Sequence, residues 1–227
     1  MIRFPVTAVP VATEKHCYLA EDTAGVQYIL KCSQRTDHCM EQWYRTESKL
    51  LSADTAPPNA LYPRHYGYFQ NAVVNGVTYR HTMVMEYIRG KCLSESSPVS
   101  EREAAKHLLS LIACLEQTNA LGFFHLDIQL SNVVIDSLGQ ARLVDYTGAF
   151  AKAHYEKTAV HSRLRYRVQE GWSPEWLQLQ QLVLLFNEHL LGQESSLREQ
   201  LWSKSALAEK LPSAQPMLLA DVLRCFS

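Results

Sequence analysis

The chain has 227 residues, 47% of them hydrophobic and 20% charged, a balance that fits a folded globular protein and excludes a disordered one. That length suits one large domain or two small lobes sharing a cleft. A formal net charge of -1 leaves no overall electrostatic footprint for nucleic acid or an anionic membrane.

The opening stretch, MIRFPVTAVPVATEKHCYL, has one early arginine and no long apolar run. It is not expected to be a signal peptide, and no later segment approaches a membrane span. A cytoplasmic location is expected, or export by a route that leaves no cleavable signal. Residues 26–31, VQYILK, are rich in β-formers and follow a turn at Asp22-Thr23-Ala24-Gly25, which predicts a short strand. Residues 40–52, MEQWYRTESKLLS, predict a short helix with Trp43, Tyr44, Leu50 and Leu51 as its apolar positions. Pro57-Pro58 then breaks the chain.

Asn75-Gly76 lies between Val73-Val74 and Val77-Thr78-Tyr79, and a type I′ hairpin turn favours that dipeptide because both central residues need positive φ. A further strand is predicted from Thr82 to Glu86. The first 86 residues therefore read as a small antiparallel sheet with one helix inserted. The character changes near Arg89-Gly90. Ser100 and Glu103 form a capping box, in which hydroxyl and carboxylate each satisfy a free backbone N–H. The helix it opens carries Leu108, Leu111, Ile112 and Leu115, and Gly122 closes it.

Next comes the stretch HLDIQLSN at 125–132, and then a predicted hairpin: Val133-Val134-Ile135, a turn at 136–139, and Ala141 to Val144. Ser173-Pro174 predicts an N-cap and first helical residue. The helix after it runs to Gly192 and is apolar over most of its circumference beyond Gln181, which predicts burial. Trp172, Trp176 and Trp202 are read as core. Arg163, Arg165 and Arg167 are read as a solvated face; their alternate spacing in an extended segment would otherwise offer a phosphate or acidic site. Cys17, Cys32, Cys39, Cys92, Cys114 and Cys225 form no C-x-x-C pair and have no histidine at zinc-finger spacing, so they read as reduced thiols.

The 125–145 region carries the chemistry. Asp127 and Asn132 fit no apolar core position, and Asp145 follows at the end of a strand. Phosphoryl transfer needs groups of this kind. A carboxylate must orient the attacking hydroxyl and accept its proton, oxygen ligands must hold the phosphate-bound metals, and a braced cation must hold the α/β-phosphates. Mg²⁺ prefers carboxylate and amide oxygens plus water. Asp127 suits the base; Asn132 and Asp145 suit the metal. Alone, Asp127 and Asn132 are equally readable as turn residues, and His125 as a packed loop histidine.

HLDIQLSN followed by VDYTG resembles the protein-kinase pair H-R-D-x-x-x-x-N and D-F-G. The resemblance extends over roughly residues 10–191. It implies an α+β, bilobal protein-kinase-like fold with a small β-rich N-lobe (about 1–86), a hinge (87–91) and a trimmed, mostly helical C-lobe (92–227). It implies Lys31 as the cation of the third strand, with Glu47 as its helix partner and Glu41 as the competing choice. MVMEY resembles a hinge entry, which makes Met85 the gatekeeper and places backbone groups of Glu86, Tyr87 and Ile88 at the adenine. ATP and Mg²⁺ or Mn²⁺ are the cofactors implied.

The sequence departs from that pattern in named places. PVATEK at 10–15 stands where a glycine-rich phosphate loop is expected, leaving Lys15 to offer charge instead. Gln129 stands where kinases acting on Ser or Thr place a lysine, and Thr147 replaces the middle of the D-F-G turn. No A-P-E follows. The trimmed plan resembles the minimal kinases that some pathogenic bacteria inject into host cells. The expectation is a minimal, monomeric Ser/Thr protein kinase acting on a protein, with a host protein as one candidate. The alternatives are a small-molecule kinase acting on a sugar, lipid or antibiotic, a pseudokinase binding module, and transfer of AMP.

Overall fold

A computed structural model describes residues 9–12, 16–36, 38–96, 98–146 and 150–151, together with Gln178, Gln181, Leu182 and Leu185. The chain divides into two compact units, Met1–Ile88 and Arg89–Ser227. Lys15, Thr147, the arginines at 163, 165 and 167, and the tryptophans at 172, 176 and 202 lie outside the described residues.

The first unit is a five-stranded antiparallel sheet with one helix. The strands are β1 (Val9–Ala12), β2 (Cys17–Glu21), β3 (Gln27–Ser33), β4 (His65–Val74) and β5 (Val77–Glu86), in the spatial order β1-β2-β3-β5-β4. Helix α1 (His38–Leu50) follows β3. The β2–β3 turn is tied by Asp22, whose Oδ1 accepts from the N–H groups of Ala24 and Val26 at 2.9 Å. The β4–β5 turn has Asn75 at φ 50° and Gly76 at φ 78°, the positive values that the Asn-Gly signal predicted.

Three features differ from the sequence reading. The hairpin strand and the Thr82–Glu86 strand are one continuous β5, because no breaker stands between Tyr79 and Thr82. Strand β4 also begins earlier than its apolar run, at His65, and α1 starts and stops two residues ahead of the predicted helix.

The sheet separates its side chains by pleat. Ala20, Leu30, Cys32, Val74, Tyr79 and Val84 form one apolar cluster. Tyr44 of α1 packs with Met83 and Met85, with Ile29, Trp43 and Tyr68 around them. Successive strand residues face opposite ways, so Lys31 shares the α1 side of β3 with Ile29. In register it lies opposite Met83, as Ile29 lies opposite Met85.

The second unit opens with β6 (Gly90–Cys92), a 3₁₀ turn (Leu93–Glu95) and α2 (Glu101–Ala120). The capping box is present: Ser100 accepts from the Glu103 N–H, and the Glu103 carboxylate accepts from the Ser100 N–H. Strand β7 (Phe123–Phe124) follows, then a loop, a 3₁₀ turn (Leu130–Asn132), β8 (Val133–Asp136), β9 (Ala141–Leu143) and β10 (Phe150–Ala151). β6, β8 and β9 form a small antiparallel sheet, and β7 pairs with β10. A Cβ on Gly90 would lie 2.1 Å from the Ile135 carbonyl oxygen, so this strand entry requires glycine. Leu108, Leu111, Ile112 and Leu115 bury the inner face of α2, as their helical spacing predicted, and Cys114 is buried with them.

Candidate active site

Residues 125–129 belong to neither helix nor strand, and Leu126 takes a left-handed φ of 52°. A loop in this state must find partners for its backbone outside regular structure. His125 supplies some of them. It is fully buried; its Nε2 donates to the Val144 carbonyl at 3.0 Å and its Nδ1 accepts from the Asp127 N–H at 3.3 Å. One ring nitrogen donates and the other accepts, which is the neutral imidazole with its proton on Nε2. The ring also meets Tyr146 edge-on at 4.5 Å. Tyr146 stacks on Phe123 at 5.9 Å, and its hydroxyl pairs with the Cys114 thiol at 3.4 Å. Burial raises the Cys114 pKa, which keeps that group a thiol. The histidine read as packing is therefore also a bridge between the 125–129 loop and the end of β9.

Asn132 closes the turn onto Asp127. Its Nδ2 donates to the Asp127 carbonyl at 2.9 Å and to Asp127 Oδ2 at 3.1 Å. Gln129 Nε2 donates to the same Oδ2 at 3.2 Å. Asp127 Oδ1 and Asn132 Oδ1 have no hydrogen-bond partner among the described residues. The result is a half-buried carboxylate with one oxygen held by two amide donors and the other without a hydrogen bond among the described residues. The main chain of Asn132 also accepts from the Val144 N–H at 2.8 Å. Val144 thus binds both His125 and Asn132, and the next residue is Asp145, at φ 64°. This arrangement ties the Asp127–Asn132 turn to the main chain that leads into Asp145.

Among the described residues no three His, Cys, Asp or Glu side chains form a metal cluster. A pair of ligands still suits Mg²⁺, which usually keeps several waters and takes one or two carboxylates plus phosphate oxygens. The Asp145 carboxylate and the Asn132 amide oxygen are donors of that type.

The other predicted residues lie in the first unit. Lys31 is buried on β3 (7% exposed) and Glu47 on α1 (1%), as is His65 at the start of β4 (1%). Glu47 Oε1 lies 3.7 Å from His65 Nε2. Burial, with Lys31 close by, depresses the His65 pKa to about 3. Glu41 is used elsewhere: it pairs with Arg45 at 2.8 Å, and Arg45 lies over the Tyr68 ring at 5.0 Å. Of the two candidate glutamates, Glu47 is the one on the buried side with Lys31. His65 was not anticipated; its sequence neighbourhood, PRHYGYF, gives no periodic sign of burial.

The depressed His65 pKa has a consequence for stability. The unfolded chain takes up a proton near the ordinary histidine pKa, and the folded one does not until about pH 3. Stability is therefore expected to fall as pH drops from about 6.5, by up to about 1.4 kcal/mol per unit. Urea denaturation from pH 7 to 4.5 should show that slope, and His65→Leu should remove it. An unchanged slope in the variant would assign the acid sensitivity to another group.

Met85 is buried and lies opposite His65 and Ile29 in the sheet. The Glu86 N–H donates to the Arg64 carbonyl at 2.8 Å, and its carboxylate accepts from the Arg64 N–H at 3.1 Å. Tyr87 and Ile88 follow the end of β5 in non-strand conformation. No backbone hydrogen bond engages them among the described residues.

A family model described as the ABC1 atypical kinase-like domain matches residues 71–166. That span contains Asp127, Asn132 and Asp145 but not Lys31 or Glu47. The chain is 29% identical over 115 residues to serine/threonine-protein kinase D of Synechocystis, covering 50% of this chain and 21% of that protein. It is 30% identical over 91 residues to CBL-interacting protein kinase 25 of Oryza sativa, covering 36% and 18% respectively. It is 22% identical over 143 residues to a probable serine/threonine-protein kinase PknB of Bifidobacterium longum, covering 61% and 19%. The chain thus spans about a fifth of the length of these relatives.

Proposed function

We propose that this chain, which belongs to the protein-kinase-like superfamily, transfers the γ-phosphate of ATP to a serine or threonine hydroxyl of a protein. The observation that carries the reading is the Asp127 carboxylate, with Oδ2 held by Asn132 and Gln129 and Oδ1 unengaged among the described residues. A base must be fixed in place and still reach its proton. In this reading Oδ1 orients the acceptor hydroxyl and takes its proton. The hydroxyl oxygen bonds to the γ-phosphorus, and the bond from that phosphorus to the β–γ bridging oxygen breaks, releasing ADP.

Asn132 Oδ1 and the Asp145 carboxylate would hold Mg²⁺ or Mn²⁺, which supplies neutralisation of phosphate charge when bound. Lys31 would hold the α/β-phosphates, with Glu47 keeping it in place. The peptide groups of Tyr87 and Ile88, beside Glu86, would meet the adenine next to Met85. Lys15 would add charge at the phosphates. A bacterial effector acting on a host protein is the narrower form of this reading. Among the described residues no helix is long and apolar enough to cross a membrane.

A small-molecule acceptor is the second reading, and Gln129 favours it. Its amide is spent on Asp127, so it adds no charge at the γ-phosphate. Transfer from γ-labelled ATP, with magnesium or manganese, separates the readings. Lysate proteins and small hydroxyl compounds would be offered as acceptors, and α-labelled ATP run in parallel. Label from γ-ATP in protein is the expected result. Label in small molecules alone would support the second reading. Label from α-ATP would indicate AMP transfer. No transfer and no ATP binding by calorimetry would leave a binding module.

A further inference from the structure

The loop carrying Asp127 is held from a part of the chain that the proposed chemistry does not use. Gln178, Gln181, Leu182 and Leu185 are helical and buried, and their spacing of three, four and seven places them on one helix face. Two of these four inward residues are polar, which is costly unless every polar atom is met. They are met by the loop. Gln178 Oε1 accepts from the His125 N–H at 3.0 Å, and its Nε2 donates to Asn119 Oδ1 at 3.0 Å. Gln181 Oε1 accepts from the Ile128 N–H at 3.1 Å, and its Nε2 donates to the Leu126 carbonyl at 2.9 Å. Three main-chain groups flanking Asp127 on both sides are thus satisfied by two side-chain amides.

We infer that Gln178 and Gln181 are positioning residues, an uncharged two-point brace that fixes the backbone on either side of Asp127. The inference rests on the reading of Asp127 as the base. Gln181 is the more demanding of the two, because its partners are a donor and an acceptor that cannot exchange roles. Only a side chain that accepts with one atom and donates with the other fits both. An amide does this without titrating and without placing a second negative charge near Asp127.

Gln181→Glu tests this requirement. An ionised carboxylate can accept from Ile128 but sets a second acceptor against the Leu126 carbonyl. A protonated carboxyl restores both bonds, and burial favours that form by raising its pKa. The variant should therefore recover as pH falls, whereas the wild-type brace should not depend on pH. Amide hydrogen exchange of the 123–132 region, compared with wild type at each pH, reads the brace without turnover. At pH 8 protection of the Ile128 amide, which Gln181 accepts from, is expected to fall about tenfold or more, and to return to within about threefold at pH 5.5. The kcat for transfer should follow the same recovery, with KM for ATP unchanged. Gln181→Met, neutral and of similar length, should lose protection and kcat at both pH values. It carries the test if the glutamate variant fails to fold.

Wild-type protection in both variants would overturn the brace. Lost protection with wild-type kcat would overturn the positioning role. If wild type transfers nothing to any acceptor, the proposed reaction fails, while the exchange data still decide whether the glutamines hold the loop.

Discussion

Asp127→Ala is expected to lower kcat for phosphate transfer by about 10³-fold while ATP affinity stays within a factor of about two. In the proposed reaction the carboxylate acts on the acceptor hydroxyl, and nothing in the proposed nucleotide contacts uses it. The variant also releases the Asn132 and Gln129 amides that converge on Oδ2. Asp145→Ala should behave differently, losing metal-dependent ATP binding together with transfer. Isothermal calorimetry with and without magnesium, beside a labelled-phosphate assay, separates the two. Retained transfer in Asp127→Ala would sink its assignment as the base. Retained magnesium-dependent binding in Asp145→Ala would remove it from the metal.

The second large effect is expected at Lys31 and Glu47. Both are almost wholly buried, with a histidine held neutral beside them. Removing one member of a buried pair leaves the other charge uncompensated, at a cost of about 3–5 kcal/mol. Lys31→Met should therefore destabilise the protein by about that amount, because neutral His65 cannot replace the cation. The double variant Lys31→Met/Glu47→Leu should recover most of the stability, since an apolar replacement of a buried pair is often neutral or better. It should still transfer no phosphate. Denaturant melts of Lys31→Met, Glu47→Leu and the double variant give the coupling energy. Additive losses would mean that the two side chains do not form a pair. Recovered transfer in the double variant would mean that Lys31 does not hold phosphates.

Much of this arrangement was legible in the sequence because it is local. Asn75-Gly76, the Ser100–Glu103 box and the spacing of Asp127, Asn132 and Asp145 each depend on residues close in the chain. The α+β character followed from the same signals. Glu47 against Glu41 was decidable only by packing, since both lie on one short helix and only the fold shows which side meets the sheet. His65 escaped because β4 starts ahead of its apolar run, in a stretch without alternation.

Gln178 and Gln181 were in view but unread. Three of their four partners are backbone groups some fifty residues earlier (the separation is 53 for both acceptor bonds), and a backbone group leaves no mark on a sequence. The available signal was thermodynamic. Two glutamines facing inward on a helix predicted to be buried require partners.

Val144 shows where such silence leads. It contributes its N–H to Asn132 and its carbonyl to His125, and its side chain takes no part in either bond. The spacing between the proposed base and the proposed metal ligand is therefore held by a peptide unit that tolerates many side chains. Proline alone among the common residues would remove the N–H, and with it one of the two ties. A position can thus drift freely in identity while its main chain remains indispensable. Surveys that rank residues by side-chain chemistry would pass over the point on which the alignment of this site turns.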